Sequence, residues 1–260
     1  MKIISLGLGV QSTAMYLMSS MGEIERADAA IFADPGAEHP KTYEMLEWLL
    51  DWKEKNNGIE IIVDKSQNIL KDILKKVNKR GKKWITIPAF GESGGMVLRH
   101  CTADYKIDVV NHNIRNLQKL KKRQRMKIKT EMWLGITMDE ASRMKESQMY
   151  NITYKYPLID LGLRRSDCIR FFKKNDFPIP MKSSCIFCPY HSDKFWKDLK
   201  SEGNGVWDLA VEVDEAIRDA SKRGLNDKLF LHRTCLPLDQ VQFADQQSLW
   251  EEECEGYCGL

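Results

Sequence analysis

The sequence predicts an α/β protein built on a parallel sheet, with a smaller, irregular cysteine-containing region from about residue 156 onward. Three observations carry this. Apolar runs alternate with segments of helical spacing through residues 1–155, the first run ends in a glycine loop, and beyond residue 155 prolines, tryptophans and cysteines interrupt the pattern. A chain of 260 residues, 43% hydrophobic and 30% charged, can bury a large core without disulfide staples. The composition excludes disorder and collagen-like sequence. No apolar stretch approaches the roughly 20 residues that a membrane-crossing helix needs. Met1–Ser5 leads into a strand-like run instead of a signal peptide, so a cytoplasmic protein without a membrane partner is expected.

The elements follow in order. Ile3-Ile4-Ser5-Leu6 is a short strand that ends in Gly7-Leu8-Gly9-Val10-Gln11-Ser12, and Thr13 to Met18 has helical character. Ala29 to Ala33 is a buried strand stopped by Asp34-Pro35-Gly36, and Thr42 to Trp52 carries Tyr43, Leu46, Leu49 and Leu50 at helical spacing. A third strand is expected at Ile59–Val63, a helix over Ile69–Val77, and a fourth strand at Glu131–Ile136. Strands alternating with helices indicate β-α-β units, whose ligands sit outside the carboxyl ends of the strands. In the second region an amphipathic helix is expected over Asp208–Arg223.

A strand running into Gly7 and Gly9 and then a Ser12-Thr13 helix start is what a phosphate site requires. Glycines let the backbone approach closely, and its N–H groups and the helix N-terminus favour an anion. The loop lacks the Gly-Lys-Ser/Thr of a Walker A motif, and a glycine-rich turn with no ligand remains the alternative. A second loop, Asp34-Pro35-Gly36-Ala37-Glu38-His39-Pro40-Lys41-Thr42-Tyr43, follows strand two at the same sheet edge. Together these segments resemble the phosphoadenosine phosphosulfate reductase family, within the PP-loop, or adenine nucleotide alpha hydrolase-like, ATP pyrophosphatases. Gly9, Ser12 and Thr13 match that family's phosphate loop, and Asp34, Gly36, Pro40, Thr42 and Tyr43 match its Asp-Thr-Gly turn and Pro-x-Thr-Tyr. Leu8 and Gln11 depart from it, standing where the family usually has a glycine and an aspartate. Gly135-Ile136-Thr137-Met138-Asp139-Glu140-Ala141-Ser142-Arg143 is similar to the family's Gly-x-x-x-x-Glu-Ser-x-x-Arg segment, and Tyr156 through Phe172 also follows its pattern.

The resemblance implies a Rossmann-like domain that binds ATP or a sulfated adenine nucleotide, with magnesium as a further candidate ion. Leu6, Gly7, Gly9, Gln11, Ser12, Thr13, Asp34, Gly36 and Gly135 would border the nucleotide. Lys106, Arg143 and Arg99 would neutralise charge on the transferred group, and Glu140 would orient Arg143. Three apart at a helix start, Glu140 and Arg143 are equally readable as a surface ion pair.

Seven cysteines in a chain with no sign of export point to metal or thiol chemistry. Cys185-Ile186-Phe187-Cys188 suits a zinc knuckle, half of an iron-sulfur site or a dithiol. Cys101 lies 84 positions before it. Iron-sulfur members of the resembled family place cluster cysteines before the fourth strand and in a later CxxC, which implies a [4Fe-4S] cluster on Cys101, Cys185 and Cys188. The ending Cys258-Gly259-Leu260 resembles the family's reactive tail. On that match Cys258 is the mobile catalytic thiol and Cys254 the fourth ligand, although the two could exchange roles. Zinc is the competing metal, and His191 could then replace one thiolate. Cys168 and Cys235 are expected to be small buried hydrophobes.

A net charge of +3 conceals two basic runs: residues 75–84 hold six cations, and residues 119–129 hold seven. Such runs can track a phosphate backbone or simply solvate a surface. The leading expectation is an adenine-nucleotide-dependent sulfurtransferase of the resembled family. It would use ATP pyrophosphatase chemistry on a nucleic-acid acceptor, with a partner protein supplying sulfur or electrons. The alternatives are a reductase that releases sulfite from adenylyl or phosphoadenylyl sulfate, and a zinc-stabilised nucleic-acid-binding module without activity.

Overall fold

Successive residues of a strand face opposite sides of its sheet, so two adjacent buried residues in a strand require a core on each side. Ile3 and Ile4, both fully buried, are such a pair. The computed structural model describes residues 1–75, 87–121, 123–221 and 226–244. From the amino end, β1 (Lys2–Ser5), α1 (Val10–Met21), β2 (Ala29–Ala33), α2 (Pro40–Asn56), β3 (Ile61–Asp64) and α3 (Ile69–Lys75) alternate as the sequence predicts. Next come the two-residue β4 (Phe90–Gly91), a π-helical turn at Ala103–Ile107 that runs into α4 (Asp108–Leu117), and β5 (Thr130–Trp133). A 3-10 turn at Met138–Arg143, β6 (Ile152–Lys155), α5 (Pro157–Asp160) and α6 (Arg165–Lys174) follow. α7 (Asp193–Ser201), α8 (Val206–Arg218) and β7 (Leu229–Phe230) complete these elements.

The central sheet has the order β3-β2-β1-β5-β6, parallel throughout. Ile3 of β1 pairs with Ala29 of β2 and with Met132 of β5. Helices flank this sheet in a Rossmann-like α/β fold. Ile4, Phe32 and Trp133 pack with α1 in one cluster, while Ile3, Ile31 and Met132 pack with Val109, Val110 and Ile114 of α4 in another. The α1 cluster also takes in Leu158, Cys168, Phe171 and Phe172, so α6 packs on the sheet from beyond residue 155. A third cluster joins Ile69, Ile73 and Tyr105 to Phe187, Trp196, Val213 and Ile217, and the β4–β7 ribbon lies with it. Among the described residues no helix is long and apolar enough to cross a membrane.

Several boundaries differ from expectation for local reasons. α2 starts at Pro40, because His39 caps it through Nδ1, which accepts from the Lys41 amide at 3.2 Å, and proline suits the first helical position. The third strand lies at Ile61–Asp64 and the fourth ends at Trp133. α8 stops at Arg218, where Asp219 turns extended and bridges to Lys228. β6 escapes the sequence reading because it is four residues long and half exposed, so its alternation is barely visible.

The strand order places the switch of winding direction between β1 and β5, and the crevice outside their carboxyl ends is where such sheets bind ligands. The chain brings those two ends very close. A Cβ on Gly135, just after β5, would come within 2.7 Å of both N and Cα of Ser12 at the start of α1.

Candidate active site

The loop after β1 is held by its own hydrogen bonds. Gly7 N–H donates to Ser12 Oγ at 3.2 Å, Ser12 Oγ donates to the Gly9 carbonyl at 3.4 Å, and Thr13 N–H closes the first helical turn on Gly9 O at 3.0 Å. Leu8 adopts φ +60° between them, a left-handed backbone that favours glycine. Its side chain is fully buried in the α1 cluster, so hydrophobic burial offsets a backbone cost of order 1–2 kcal/mol. The turn therefore has the shape a glycine would give, although leucine occupies the position.

The crevice is lined by Leu6, Gly7, Gly9, Gln11, Ser12, Ile31–Ala33 and Gly135. Lys106, Arg143, Arg165 and Lys182 bring four positive charges to its wall, against the single carboxylate of Glu140. Gln11 Nε2 donates to Glu140 Oε2 at 3.4 Å, and Glu140 Oε1 accepts from Arg143. Glu140 and Arg143 are thus both an ion pair and part of the cavity wall. The segment carrying them is 3-10 in type, with Glu140 at φ −119°. Arg143 Nε is buried and has no hydrogen-bond partner among the described residues.

Lys106 sits on the π-helical turn and donates from Nζ to Glu38 Oε1 at 3.1 Å. Glu38, whose side chain is fully buried, also accepts from Ser183 Oγ at 3.0 Å and forms a β-bridge with Cys185. Sequence reasoning missed Glu38, Arg165 and Lys182. The only available signal for Glu38 was a carboxylate two residues after Gly36 of the Asp34-Pro35-Gly36 turn. Arg165 and Lys182 reach the crevice through tertiary packing of α6 and of the loop before the CxxC.

Four expected contacts, Thr13, Asp34, Gly36 and Arg99, fall outside the crevice lining. Thr13 is fully buried, with Oγ1 lacking a hydrogen-bond partner among the described residues. Asp34 turns its carboxylate onto its own loop, where Oδ1 accepts from Gly36 N–H at 2.7 Å and from the Tyr43 hydroxyl at 2.8 Å. Burial, with the Asp34 carboxylate, pushes the Tyr43 phenol well above its ordinary range. Gly36 has φ +71°, and a Cβ there would lie 2.4 Å from Asn68 Nδ2. Arg99 lies over the Tyr190 ring, 5.9 Å from its centroid, instead of at the crevice.

Cys101, Cys185 and Cys188 line one apolar cavity together with Tyr105, Ser184 and Phe187, and Lys106 belongs to both this wall and the crevice wall. The Cys188 amide donates to the Cys185 carbonyl at 3.0 Å, which forms the tight turn of the CxxC, and Ile186 N–H donates to Ala37 O at 2.9 Å. Ser184 Oγ, on the same wall, is buried with no hydrogen-bond partner among the described residues. Three soft donors in an apolar wall, with a hydroxyl able to donate to sulfur, fit a thiolate-bound cluster or zinc in kind. As arranged, the described residues contain no group of three or more His, Cys, Asp or Glu side chains gathered closely enough to hold a metal ion. Cys254 and Cys258 lie outside the described residues.

His191 is not placed as a zinc ligand through Nε2. That nitrogen lies 2.8 Å from the Cys185 carbonyl, to which it donates, and the ring stacks on Phe195 at 3.5 Å. Burial holds its pKa down to about 3, so the ring is neutral. Cys168 is fully buried against α1, and burial pushes its thiol up to about 12. Cys235, in contrast, is only partly buried. It occupies a turn at φ +52°, and its Sγ faces the Gly91 carbonyl at 3.5 Å. Comparison with family models and with curated proteins finds no match, so the functional reading rests on these residues and their geometry.

Proposed function

We propose that the protein is an adenine-nucleotide-dependent sulfur-transfer enzyme of the phosphoadenosine phosphosulfate reductase type, cleaving ATP to AMP and pyrophosphate to activate a nucleic-acid oxygen. One observation carries the reading. A glycine loop and four cations share a crevice whose wall residue Lys106 also borders the cavity of Cys101, Cys185 and Cys188. An anion-binding crevice beside a thiol cavity is what transfer of sulfur to a nucleotide-activated group requires.

The phosphates would lie on the N–H groups at the start of α1, with adenosine along Ile31–Ala33. The acceptor oxygen attacks the α-phosphorus and the bond to the bridging oxygen breaks, releasing pyrophosphate. Arg143, Arg165 and Lys182 stabilise the charge that develops on it. Gln11 and Glu140 hold Arg143 in position. Lys106, paired with Glu38, keeps one positive charge between the two cavities. Sulfur then displaces the adenylated oxygen, which leaves with AMP. Cys101, Cys185 and Cys188, with Cys254, would hold a [4Fe-4S] cluster, which when bound supplies sulfide or electrons next to the nucleotide. Cys258 would be the mobile thiol.

The sulfonucleotide reductase reading is favoured by the Cys258-Gly259-Leu260 ending. Incubation of anaerobically purified protein with ATP and nucleic acid, and separately with adenylyl sulfate, separates the two. Pyrophosphate release supports the sulfurtransferase. Sulfite release without pyrophosphate supports the reductase and refutes the proposal.

A further inference from the structure

Outside the crevice, a second concave surface is built where α4 returns to β5. The chain reverses at Lys119 and Arg123, which adopt φ +53° and +66°. The turn is pinned from within: an Arg115 guanidinium nitrogen donates to the carbonyls of Lys121 at 3.1 Å and Gln124 at 2.9 Å, and Gln118 Nε2 donates to Ile128 O at 3.0 Å. These bonds hold the backbone and leave the side chains of Lys121, Arg123 and Arg125 exposed. They form no ion pair among the described residues, and no Asp or Glu lines the cleft. His112 and Tyr150 complete the rim over an apolar floor of Met126 and Met149. Tyr150 is 67% exposed, an unusual placement for an aromatic ring.

We infer that this cleft holds a single-stranded nucleic acid, with phosphates on Lys121, Arg123 and Arg125 and a base stacked on Tyr150. Cations without compensating carboxylates fit a phosphodiester backbone, and the exposed ring beside an apolar floor fits a base; an acidic peptide would use only the cations. The place is also appropriate. Val110 of α4 borders the crevice while Arg115 borders the cleft, and the helix rise between them is about 7.5 Å. The cleft lies before the amino ends of β5 and β6 and the crevice at the carboxyl ends of the sheet, so a strand anchored in the cleft reaches the crevice several nucleotides further along. The inference rests on the nucleic-acid acceptor of the proposed function and assigns the surface that holds it.

The test is fluorescence anisotropy of the full chain with a labelled single-stranded oligonucleotide of about 12 nucleotides, between about 50 and about 200 mM salt. Replacing Lys121, Arg123 and Arg125 together by Ala is expected to weaken binding about 100-fold at the lower salt and to reduce the log–log salt slope by about 2. Tyr150→Ala should weaken binding about 10-fold with the slope unchanged. Lys173→Ala with Lys174→Ala, on the exposed end of α6, should change neither. A triple variant that binds like wild type overturns the inference. So does wild-type protein that binds no oligonucleotide, or poly-glutamate that competes as well as the oligonucleotide while Tyr150→Ala is silent. Pyrophosphate release, measured separately, distinguishes the failures: turnover of ATP without cleft binding sinks the cleft alone, and cleft binding without turnover sinks the nucleotide chemistry alone.

Discussion

Gly135→Ala tests the crevice at its tightest point. The added methyl would lie 2.7 Å from Ser12 N and Cα, where ordinary contact begins near 3.4 Å, and both obstructing atoms are backbone. No rotamer relieves the clash, so the start of α1 must move away from β5 by several tenths of an ångström. Overpacking of this kind costs about 1–3 kcal/mol of stability. The larger effect falls on the ligand, because the displaced segment carries the N–H groups that would hold phosphate. A nucleotide at 100 times its dissociation constant stabilises a protein by about 2.7 kcal/mol, and a 100-fold loss of affinity reduces this to about 0.4 kcal/mol. For a chain of this size each kcal/mol is worth about 2–4 °C. Thermal melting with and without ATP should therefore show a nucleotide-induced shift of about 5–11 °C for wild type and about 1–2 °C for Gly135→Ala. Gly162→Ala is the control. It strains a backbone at φ +67° with nothing within 4 Å of the new methyl, so it should lower the melting temperature and leave the nucleotide-induced shift intact. An unchanged shift in Gly135→Ala would show that phosphate does not bind at the start of α1.

Three further outcomes are expected. Glu38→Ala should destabilise the protein by about 1–3 kcal/mol in urea unfolding, because it removes the buried carboxylate that accepts from Lys106 and Ser183; Glu38→Gln, which keeps the shape, should cost less and leave nucleotide affinity equal or tighter. Cys185→Ser should remove bound iron or zinc measured by elemental analysis, whereas Cys168→Ser should retain the metal and lose about 1–3 kcal/mol by placing a hydroxyl in the α1 core. Because burial raises the folded-state pKa of Cys168 from 9.0 to about 12, its contribution is complete below pH 9.0 and lost as pH rises toward 12. Wild type should therefore lose about 1.4 kcal/mol more than Cys168→Ala between pH 8 and pH 10, and equal slopes would contradict the burial of that thiol.

Four of the five strands of the parallel sheet are legible because each is a short run with apolar residues beside a glycine or aspartate, whereas β6 is too short and too exposed to show its alternation. Ala29–Ala33 is fully buried on both faces and could be read to the residue. The crevice was legible on the loop and on Gly135, where local sequence dictates backbone approach. It was less so for Asp34, whose carboxylate is consumed by Gly36 and Tyr43, because side-chain direction in a turn depends on partners several residues away. Arg165 and Lys182 were invisible for a related reason: no periodicity marks a cation that reaches a site through tertiary packing. His191 shows the converse. Its spacing from Cys188 suggested a ligand, but stacking on Phe195 and the Cys185 carbonyl determine where its ring points. Cys254, Cys258 and most of the basic run at 75–84 lie outside the described residues.

The most direct measurement is a crystal structure of anaerobically purified protein with bound ATP or its non-hydrolysable analogue. Triphosphate against the Gly7–Ser12 loop and Arg143, with metal density between Cys101, Cys185 and Cys188, is the expected result. Nucleotide bound elsewhere, or three cysteines with no metal between them in protein that has never met oxygen, would contradict an anion crevice coupled to a thiolate-held cluster.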